Sequence, residues 1–274
     1  MAKLSPRDLP DALRIEPGKR LRLQDELAAR VHGWDKDDCV KMTDENRRRL
    51  DELQYKMYVD GRFALLAVLQ AIDGGGKDGT IRKVFRAFNP QGCTVASFKV
   101  PSATELRHDY LWRVHARVPP RGEIGVFNRS HYEDVLVVRV EELVPELTWT
   151  RRYAQINDFE RMLTENDVRI AKFFLHISKA EQKRRFEERL ADPRKRWKFD
   201  PTDLGKRVKW DQYRKAFEEA INRCTTEHAP WYVVPADRKW FRDFAVSQIL
   251  LYELEQLPLR FPKPSYDPAS IRIR

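Results

Sequence analysis

Residues 63–80 read FALLAVLQAIDGGGKDGT and carry the clearest structural signal in the chain. The first half is a continuous apolar run, which is typical of a strand buried on both faces. Four of the chain's eleven glycines then fall within residues 74–79, next to Lys77. Beyond this loop the apolar residues take the spacing of one helix face, at Ile81, Val84, Phe85 and Phe88. A strand, a glycine loop with a lysine and a helix are the parts of a phosphate-binding loop, in which backbone N–H groups and the helix N-terminus attract anions.

The loop departs from the Walker pattern G-x-x-x-x-G-K-[ST] at two positions. Gly76 and Lys77 fit it, but Ala71 stands for the first glycine and Asp78 for the final hydroxyl residue. Two carboxylates, those of Asp73 and Asp78, would repel bare phosphate but suit phosphate bound to Mg²⁺, because that metal takes oxygen ligands. We therefore expect Asp73 to be a metal ligand, directly or through water, and Lys77 to lie in an exposed loop. The alternative is a glycine-rich turn that only joins a strand to a helix.

The composition indicates a globular chain with an anionic partner. Its 274 residues, 42% hydrophobic and 34% charged, can hold one large domain or two small ones. Lys and Arg number 52 against 42 Asp and Glu, and the resulting charge of +10 predicts nucleic acid, a membrane surface or a phosphate-rich small molecule as partner. Cys39, Cys93 and Cys224 form no C-x-x-C pair, which indicates reduced thiols in a cytoplasm. We find no apolar run of membrane-spanning length and no signal peptide, so we expect no membrane partner.

Strand and helix patterns alternate along the chain. Further strands are predicted at 92–98, 125–128, 170–177 and 231–234, and helices at 43–60, 103–118, 150–166, 179–190, 208–225 and 240–257. Five strands alternating with helices predict an α/β fold of three layers, a parallel sheet with helices on both faces. We expect residues 1–60 to form a partly helical extension and residues 61–274 to form the phosphate-binding domain. Ligands of such sheets bind beyond the carboxyl ends of the strands, which is where 73–77 and 128–133 would lie.

The second motif, FNRSHYED at residues 127–134, follows the third predicted strand. Asn128 stands at the Walker B position, which usually holds an Asp near Mg²⁺, and it is a weaker ligand without charge. Arg129 can make bidentate contacts with phosphate oxygens. The alternative for these two residues alone is a strand end with a surface arginine.

The third feature is a basic segment between the fourth and fifth strands. Ser178 and Glu181 form a capping box that begins a helix through Leu190. The cations that follow are Arg184, Arg185, Arg189, Arg194, Lys195, Arg196 and Lys198. In kinases with a phosphate-binding loop this segment is a lid whose arginines close over the transferring phosphate, and we expect it at about 183–205. A solvated charged face is the alternative.

In combination the motifs resemble the polyphosphate kinase type 2 family, over roughly residues 40–260. The segments that carry the resemblance are IDGGGKDG at 72–79, FNRSHYED at 127–134, and RLADP at 189–193 with Lys195, Trp197 and Lys198. The resemblance implies a P-loop kinase fold with a five-stranded parallel sheet, a helical lid and a helical N-terminal extension. It also implies reversible, Mg²⁺-dependent phosphoryl transfer between inorganic polyphosphate and a nucleotide.

The motifs and the resemblance together assign candidate site residues. The expected catalytic residues are Asp73, Lys77, Arg129 and Arg189. Phosphate is expected to bind to Gly74, Gly75, Gly76, Lys77, Asp78, Gly79, Lys83, Arg129 and Arg189. The nucleotide is expected to bind to Asn128, Glu133, Arg113 and Arg117. The metal ligands are expected to be Asp73 and Glu133.

The second motif also bears on the acceptor. Family members that use nucleoside diphosphates tend to have Asp-Arg-Ser-x-Tyr-Asn there, whereas this chain has Asn128 for that Asp and Glu133 for that Asn. With Asp78 after the loop lysine, the chain resembles the class III subgroup, which accepts both AMP and ADP. A carboxylate at 133 could hold a second Mg²⁺ near the phosphate of AMP. The alternative is that Glu133 only caps the helix that follows.

The resemblance implies polyphosphate and AMP, ADP or ATP as partners, a cytoplasmic location and a homo-oligomer, either dimer or tetramer. Two other functions stay open. One is an ATP-dependent nucleotide kinase of the same fold, which would not make ATP from ADP with polyphosphate as the sole phosphoryl source. The other is a polyanion- or nucleic-acid-binding protein, but we find no RRM, zinc-finger or helix-turn-helix signal and expect no nucleic-acid partner.

Overall fold

A strand of seven fully buried residues, β1 (Ala64–Gln70), lies at the centre of the sheet. The structure is a computed structural model that describes residues 3–273. The other strands are β2 (Cys93–Ser97), β3 (Ile124–Asn128), β4 (Val168–His176) and β5 (Trp231–Pro235). They lie in the order β2-β3-β1-β4-β5, and every pair is parallel. The predicted five-stranded parallel sheet is confirmed.

Helices cover both faces of this sheet. They are α1 (Leu9–Leu13), α2 (Asp25–Ala28), α3 (Lys36–Asp60), α4 (Lys77–Val84), α5 (Trp112–His115), α6 (Val137–Val140), α7 (Glu146–Glu165), α8 (Lys179–Ala191), α9 (Thr202–Val208), α10 (Trp210–Cys224) and α11 (Lys239–Glu255). Short 3₁₀ turns lie at Phe85–Ala87, Pro90–Gly92, Glu105–Arg107, His131–Asp134, Arg196–Lys198 and Pro268–Ser270. Within residues 3–273 no helix is both long enough and apolar enough to cross a membrane.

The side chains of β1 alternate between two cores. Leu65 and Leu69 pack into the core that contains residues of α3, α4 and α11. Leu66 and Val68 pack into the core that contains residues of α7 and α10. Burial on both faces explains why β1 reads as a continuous apolar run and not as an alternating one.

The predicted helix at 103–118 is wrong, because only a 3₁₀ turn and the four-residue α5 form there. Local side chains interrupt it. The Asp109 carboxylate accepts hydrogen bonds from the N–H groups of Leu111 and Trp112, at 2.9 and 3.1 Å, and so starts a new turn. Leu106, which the helical pattern places inward, is 71% exposed. Asp side chains compete in this way with the helical backbone pattern.

The long helix α3 begins earlier than predicted. It starts at Lys36, where the Asp35 carboxylate accepts a hydrogen bond from the N–H of Asp38 at 2.9 Å. Thr43, the first residue of the helix predicted at 43–60, is instead buried inside the helix, and its hydroxyl donates to the Cys39 carbonyl. α3 packs against α11 and contributes Leu50 to the core, so tertiary contacts extend it beyond the local cap signal.

Candidate active site

The loops after β1 and β3 leave the sheet side by side. Leu69 of β1 is paired in register with Asn128 of β3, and the N–H of Arg129 donates to the Leu69 carbonyl at 3.1 Å. The glycine loop and the second motif therefore meet at the carboxyl edge of the sheet. This is the edge at which ligands bind in parallel α/β sheets.

The glycine loop takes a shape that only glycine permits. Gly74 and Gly76 have φ values of +85° and +102°, in the left-handed region that side chains rarely adopt. A Cβ on Gly76 would lie 2.1 Å from Nη1 of Arg242, and one on Gly75 would lie 2.4 Å from the Cβ of Ala71. Gly76 then forms the N-cap of α4. The loop backbone thus wraps the helix N-terminus closely, as an anion site requires.

Arg185 of α8 binds the backbone of this glycine loop. Its guanidinium, which is 5% exposed, donates to the carbonyls of Gly74 and Gly75 at 2.9 and 3.1 Å, and also to the Ala236 carbonyl. The sequence placed Arg185 with the lid cations, on one face of the helix with Arg189. In the structure Arg185 is a buried support of the loop.

Arg189 lies farther along α8, towards the basic segment. Its guanidinium lies over the Phe186 ring, 5.4 Å from the ring centroid, and donates weakly to the Lys198 carbonyl at 3.4 Å. Among the described residues no hydrogen bond or ion pair joins Arg189 to the glycine loop. The capping box that begins α8 is half formed: the Ser178 hydroxyl accepts from the N–H of Glu181, but Asp237, not Glu181, accepts from the N–H of Ser178.

Asp73 is the centre of the site. Its Oδ1 accepts a hydrogen bond from Arg129 and its Oδ2 one from Lys206, both at 2.9 Å, while its backbone carbonyl accepts from Gln182 at 2.6 Å. Burial raises the pKa of this carboxyl, but the positive charges of Lys77, Arg129 and Lys206 outweigh it and bring the pKa to about 2. Asp73 is therefore ionised throughout the physiological pH range.

The prediction that Lys77 lies in an exposed loop is wrong. Lys77 is the first residue of α4 and is half-buried, and its ammonium donates to the Ala71 carbonyl at 3.0 Å. Burial lowers its pKa, although the nearby Asp73 carboxylate acts in the opposite direction. The side chain folds back across the loop, which places its charge beside the loop backbone.

Arg129 has a strained backbone. Its φ of +63° lies in the left-handed region, which is uncommon for a residue with a side chain and is found most often at functional sites. Its Nη1 lies 3.6 Å from the Glu133 carboxylate, so Arg129 lies between the carboxylates of Asp73 and Glu133. Strain of this kind persists only where neighbouring contacts impose it, and the bond from its N–H to the Leu69 carbonyl is one such contact.

Glu133 points into the site and does not cap a helix. The turn that contains it begins at Ser130, whose hydroxyl accepts from the N–H of Tyr132 at 3.2 Å. The following helix, α6, has Leu136 at its N-cap and no side-chain cap. The carboxylate of Glu133 is 17% exposed, and its ion-pair partner is Arg129. The geometry therefore disfavours the capping alternative for Glu133.

A buried polar cluster packs against the turn at His131–Asp134 on the side of the core. Oε1 of Glu160 accepts from Tyr132 at 2.8 Å and lies 3.1 Å from Nε2 of His131, while its Oε2 accepts from Lys172 at 2.5 Å. All four side chains are almost fully buried. Nothing in the local sequence signalled this cluster, because its members come from the second motif, α7 and β4. It fixes the turn that carries Arg129 and Glu133 against the core.

Asn128 and Asp78 face each other across the two loops. The Asn128 amide donates to Oδ1 of Asp78 at 2.8 Å. An Asp at position 128 would set two carboxylates in contact, which is unfavourable unless one is protonated. The departures from the Walker patterns at Asp78 and Asn128 therefore compensate for each other.

Three predicted cations make no hydrogen bond or ion pair with Asp73 among the described residues. Arg113 is buried and donates to the Lys99 carbonyl at 2.9 Å, with Glu105 at 3.9 Å. Arg117 follows α5 and Lys83 lies in α4, and both are exposed. The described contacts of Arg113 tie it to the loop after β2, not to Asp73.

A cleft opens beside Asp73. Its polar wall includes Asp73, Arg129, Glu133, Gln182 and Lys206, and its apolar wall includes Leu136, Val137 and Phe217. Sequence reasoning missed Gln182 and Lys206. Lys206 lies just beyond the predicted lid, in α9, and a helical reading of that segment could have included it.

The donor set fits a metal that arrives with phosphate. Within residues 3–273 no cluster of three or more His, Cys, Asp or Glu side chains could hold a metal ion. Mg²⁺ usually keeps several waters and binds one or two carboxylates together with substrate phosphates. Asp73, ionised and next to the glycine loop, would supply one such carboxylate, and Glu133 lies on the far side of Arg129.

Comparison with known proteins identifies the family of this chain. A sequence profile described as Polyphosphate kinase 2 matches residues 33–261. A protein of Meiothermus ruber named AMP/ADP-polyphosphate phosphotransferase is 51% identical over 92% of this chain and 95% of its own. One of Rhodopseudomonas palustris named ADP-polyphosphate phosphotransferase is 47% identical over 78% of each chain. The crystal structure of polyphosphate kinase 2 from Arthrobacter aurescens TC1 superposes with a TM-score of 0.93 at 41% identity, covering 98% of this chain and 97% of that one. The resemblance carried by the three motifs is confirmed, and the chain belongs to the polyphosphate kinase 2 family.

Proposed function

We propose that this protein transfers phosphoryl groups between inorganic polyphosphate and the nucleotides AMP and ADP, in either direction and with Mg²⁺. The observation that carries the proposal is the convergence of Asp73, Lys77 and Arg129 at the glycine loop. The 51% identity to a protein named AMP/ADP-polyphosphate phosphotransferase supports the choice of donor and acceptors.

Phosphoryl transfer needs little covalent catalysis from the protein. The bond between the terminal phosphorus of polyphosphate and its bridging oxygen breaks, and a bond to a phosphate oxygen of the acceptor forms. Positioning and charge neutralisation supply most of the rate in such transfers. The loop N–H groups of 74–79 and the Lys77 ammonium bind the donor phosphates, and Arg129 binds oxygens of the transferring group. Mg²⁺ held by Asp73 would neutralise further charge on the phosphate oxygens.

The segment 183–205 acts as a lid in this proposal. Its exposed cations, Arg189 among them, come over the donor chain and exclude water from the transfer, while the buried Arg185 stays on the glycine loop. Arg189 is tied only by a ring contact and a long hydrogen bond, so moving it costs little.

Glu133 supports AMP as an acceptor. Its carboxylate lies beside Arg129 in the cleft, where it can hold a second Mg²⁺ or an ordered water against the single phosphate of AMP. The name of the Rhodopseudomonas palustris relative favours a second candidate, in which ADP alone is accepted. The two candidates differ only in the acceptor.

One incubation tests the proposal. Purified protein is mixed with Mg²⁺ and polyphosphate, with AMP or ADP as the only nucleotide, and the nucleotides are followed over time by ion-exchange chromatography. AMP should give ADP and then ATP. Conversion of ADP but not of AMP would leave the ADP-only function, and no conversion of either would refute the proposal. A chelator control checks the metal requirement.

The setting of the enzyme is also part of the proposal. We place it in the cytoplasm, as a homo-oligomer of two or four chains that binds polyphosphate and not nucleic acid. The cysteines Cys39, Cys93 and Cys224 are all unpaired, which supports a reducing compartment. Light scattering after size exclusion tests the oligomer, and a DNA gel shift competed by polyphosphate tests the partner.

A further inference from the structure

Lys206 is a residue of the site that neither the motifs nor the family resemblance assigns. It lies in α9, beyond the expected lid, and its ammonium lies 2.9 Å from Oδ2 of Asp73. Arg129 takes the other oxygen at the same distance. Both carboxylate oxygens are thus held by cations of the chain itself.

The same carboxylate is the expected ligand of the metal. Mg²⁺ and an ammonium group both seek oxygen atoms with negative charge, so they compete for Oδ2 of Asp73. A metal bonded to Oδ2 would lie beside the ammonium, and the repulsion between the two cations favours withdrawal of Lys206. Arg129 need not move for this, since it holds only Oδ1.

Lys206 has a second carboxylate within reach. Oδ1 of Asp203, three residues earlier on α9, lies 3.5 Å from the same ammonium. The side chain of Lys206 is 34% exposed and that of Asp203 is 11% exposed, so the ammonium can leave Asp73 and keep the Asp203 carboxylate as its partner. The helix itself stays in place, because the neighbouring Arg207 donates to the Lys179 carbonyl and to the Gln182 side chain at 2.8 and 2.7 Å.

We infer that Lys206 is a displaceable counter-ion of Asp73. It holds the carboxylate until a divalent metal binds there, and it then turns to the phosphates in the cleft as an additional cation. The inference rests on the proposed function, since it assigns the metal to Asp73. It deepens that function by making metal binding and phosphate binding depend on one side chain.

The first test measures Mg²⁺ binding alone by isothermal titration calorimetry on the full-length protein. Lys206→Met keeps most of the length of the side chain and removes its charge. It should bind Mg²⁺ about fivefold more tightly than the wild type, on the order expected for loss of one partly exposed ion pair. Lys206→Arg should stay near the wild-type affinity. Lys209→Met is the matched control, because Lys209 is similarly exposed and pairs with Glu141, outside the metal site.

A second readout is the thermal shift produced by Mg²⁺. A tighter site gains more stability from the same metal concentration, so the shift should be larger in Lys206→Met than in the wild type or Lys209→Met. Unchanged or weaker Mg²⁺ binding by Lys206→Met would overturn the counter-ion role. This outcome is separate from the proposed function, which fails only if the wild type transfers no phosphate.

The last arm tests the released ammonium. At saturating Mg²⁺ and polyphosphate, Lys206→Met should turn over at least about tenfold more slowly, because one cation of the cleft is missing from the charged transition state. Tighter metal binding with wild-type turnover would refute the phosphate role of Lys206. Recovery of turnover in Lys206→Arg would support it.

Discussion

Arg185 and Arg189 lie four residues apart on α8, yet the structure gives them opposite roles. Arg185 is buried and binds the carbonyls of Gly74 and Gly75, whereas Arg189 lies over the Phe186 ring near the basic segment. We therefore predict that Arg185→Ala mainly lowers stability and that Arg189→Ala mainly lowers turnover.

The magnitudes follow from the contacts that are lost. Arg185→Ala removes charged hydrogen bonds to three backbone carbonyls, two in the loop and one at Ala236, and leaves those carbonyls without this donor. Each bond of this kind contributes about 1.5–3 kcal/mol, so the free energy of unfolding should fall by at least ~3 kcal/mol. Arg189→Ala removes one ring contact and one long hydrogen bond, together worth about 1 kcal/mol or less.

The assay pairs thermal unfolding with turnover on polyphosphate and ADP. Arg185→Ala should lower the melting temperature by roughly 6–12 °C, since about 1 kcal/mol corresponds to 2–4 °C in a chain of this size. Arg189→Ala should melt within a few degrees of the wild type but turn over more slowly. Lys183→Ala, an exposed change on the same helix, is the control for helix propensity. Equal stability of the two arginine variants would refute the assignment of Arg185 to the loop.

Three further variants test the site. The pKa of Asp73 is lowered to about 2 from its ordinary value of 3.8, so the stability that its carboxylate contributes is present above about pH 4 and is lost as the pH falls towards 2. The difference in urea midpoint between the wild type and Asp73→Asn should therefore narrow below pH 4. A constant difference from pH 7 to pH 3 would contradict this. Asn128→Asp should lower stability and turnover, because its carboxylate is repelled by that of Asp78. Adding Asp78→Asn should recover about 1 kcal/mol of stability through a restored hydrogen bond. A double-mutant cycle measures this coupling, and additive effects of the two changes would exclude it. Glu133→Asn should lower kcat/KM for AMP about tenfold more than for ADP, because ADP brings its own second phosphate to the metal; equal losses would remove Glu133 from acceptor choice.

Local sequence determined the sheet and the two loops at its edge. The apolar run of β1 requires burial on both faces, and the glycines of 74–79 permit the left-handed turns seen at Gly74 and Gly76. These are short-range properties of the chain, so a pattern of neighbouring residues predicts them. The same short-range logic failed at 103–118, where Asp109 supplied a competing local hydrogen bond.

The partners of the charged residues came only from the tertiary structure. Lys206 meets Asp73 across 133 positions of sequence, and Arg185 meets Gly75 across 110. A charge pattern says that an arginine or lysine is present, but not whether it is buried against carbonyls or free to meet phosphate. Arg185, Arg189 and Lys206 come from one basic stretch, and the packing of α8 and α9 on the glycine loop separates their roles. Sequence thus predicted the loops at which phosphate chemistry is expected, while three-dimensional packing determined which cations are exposed beside them, because burial and distance are set by elements far apart in the chain.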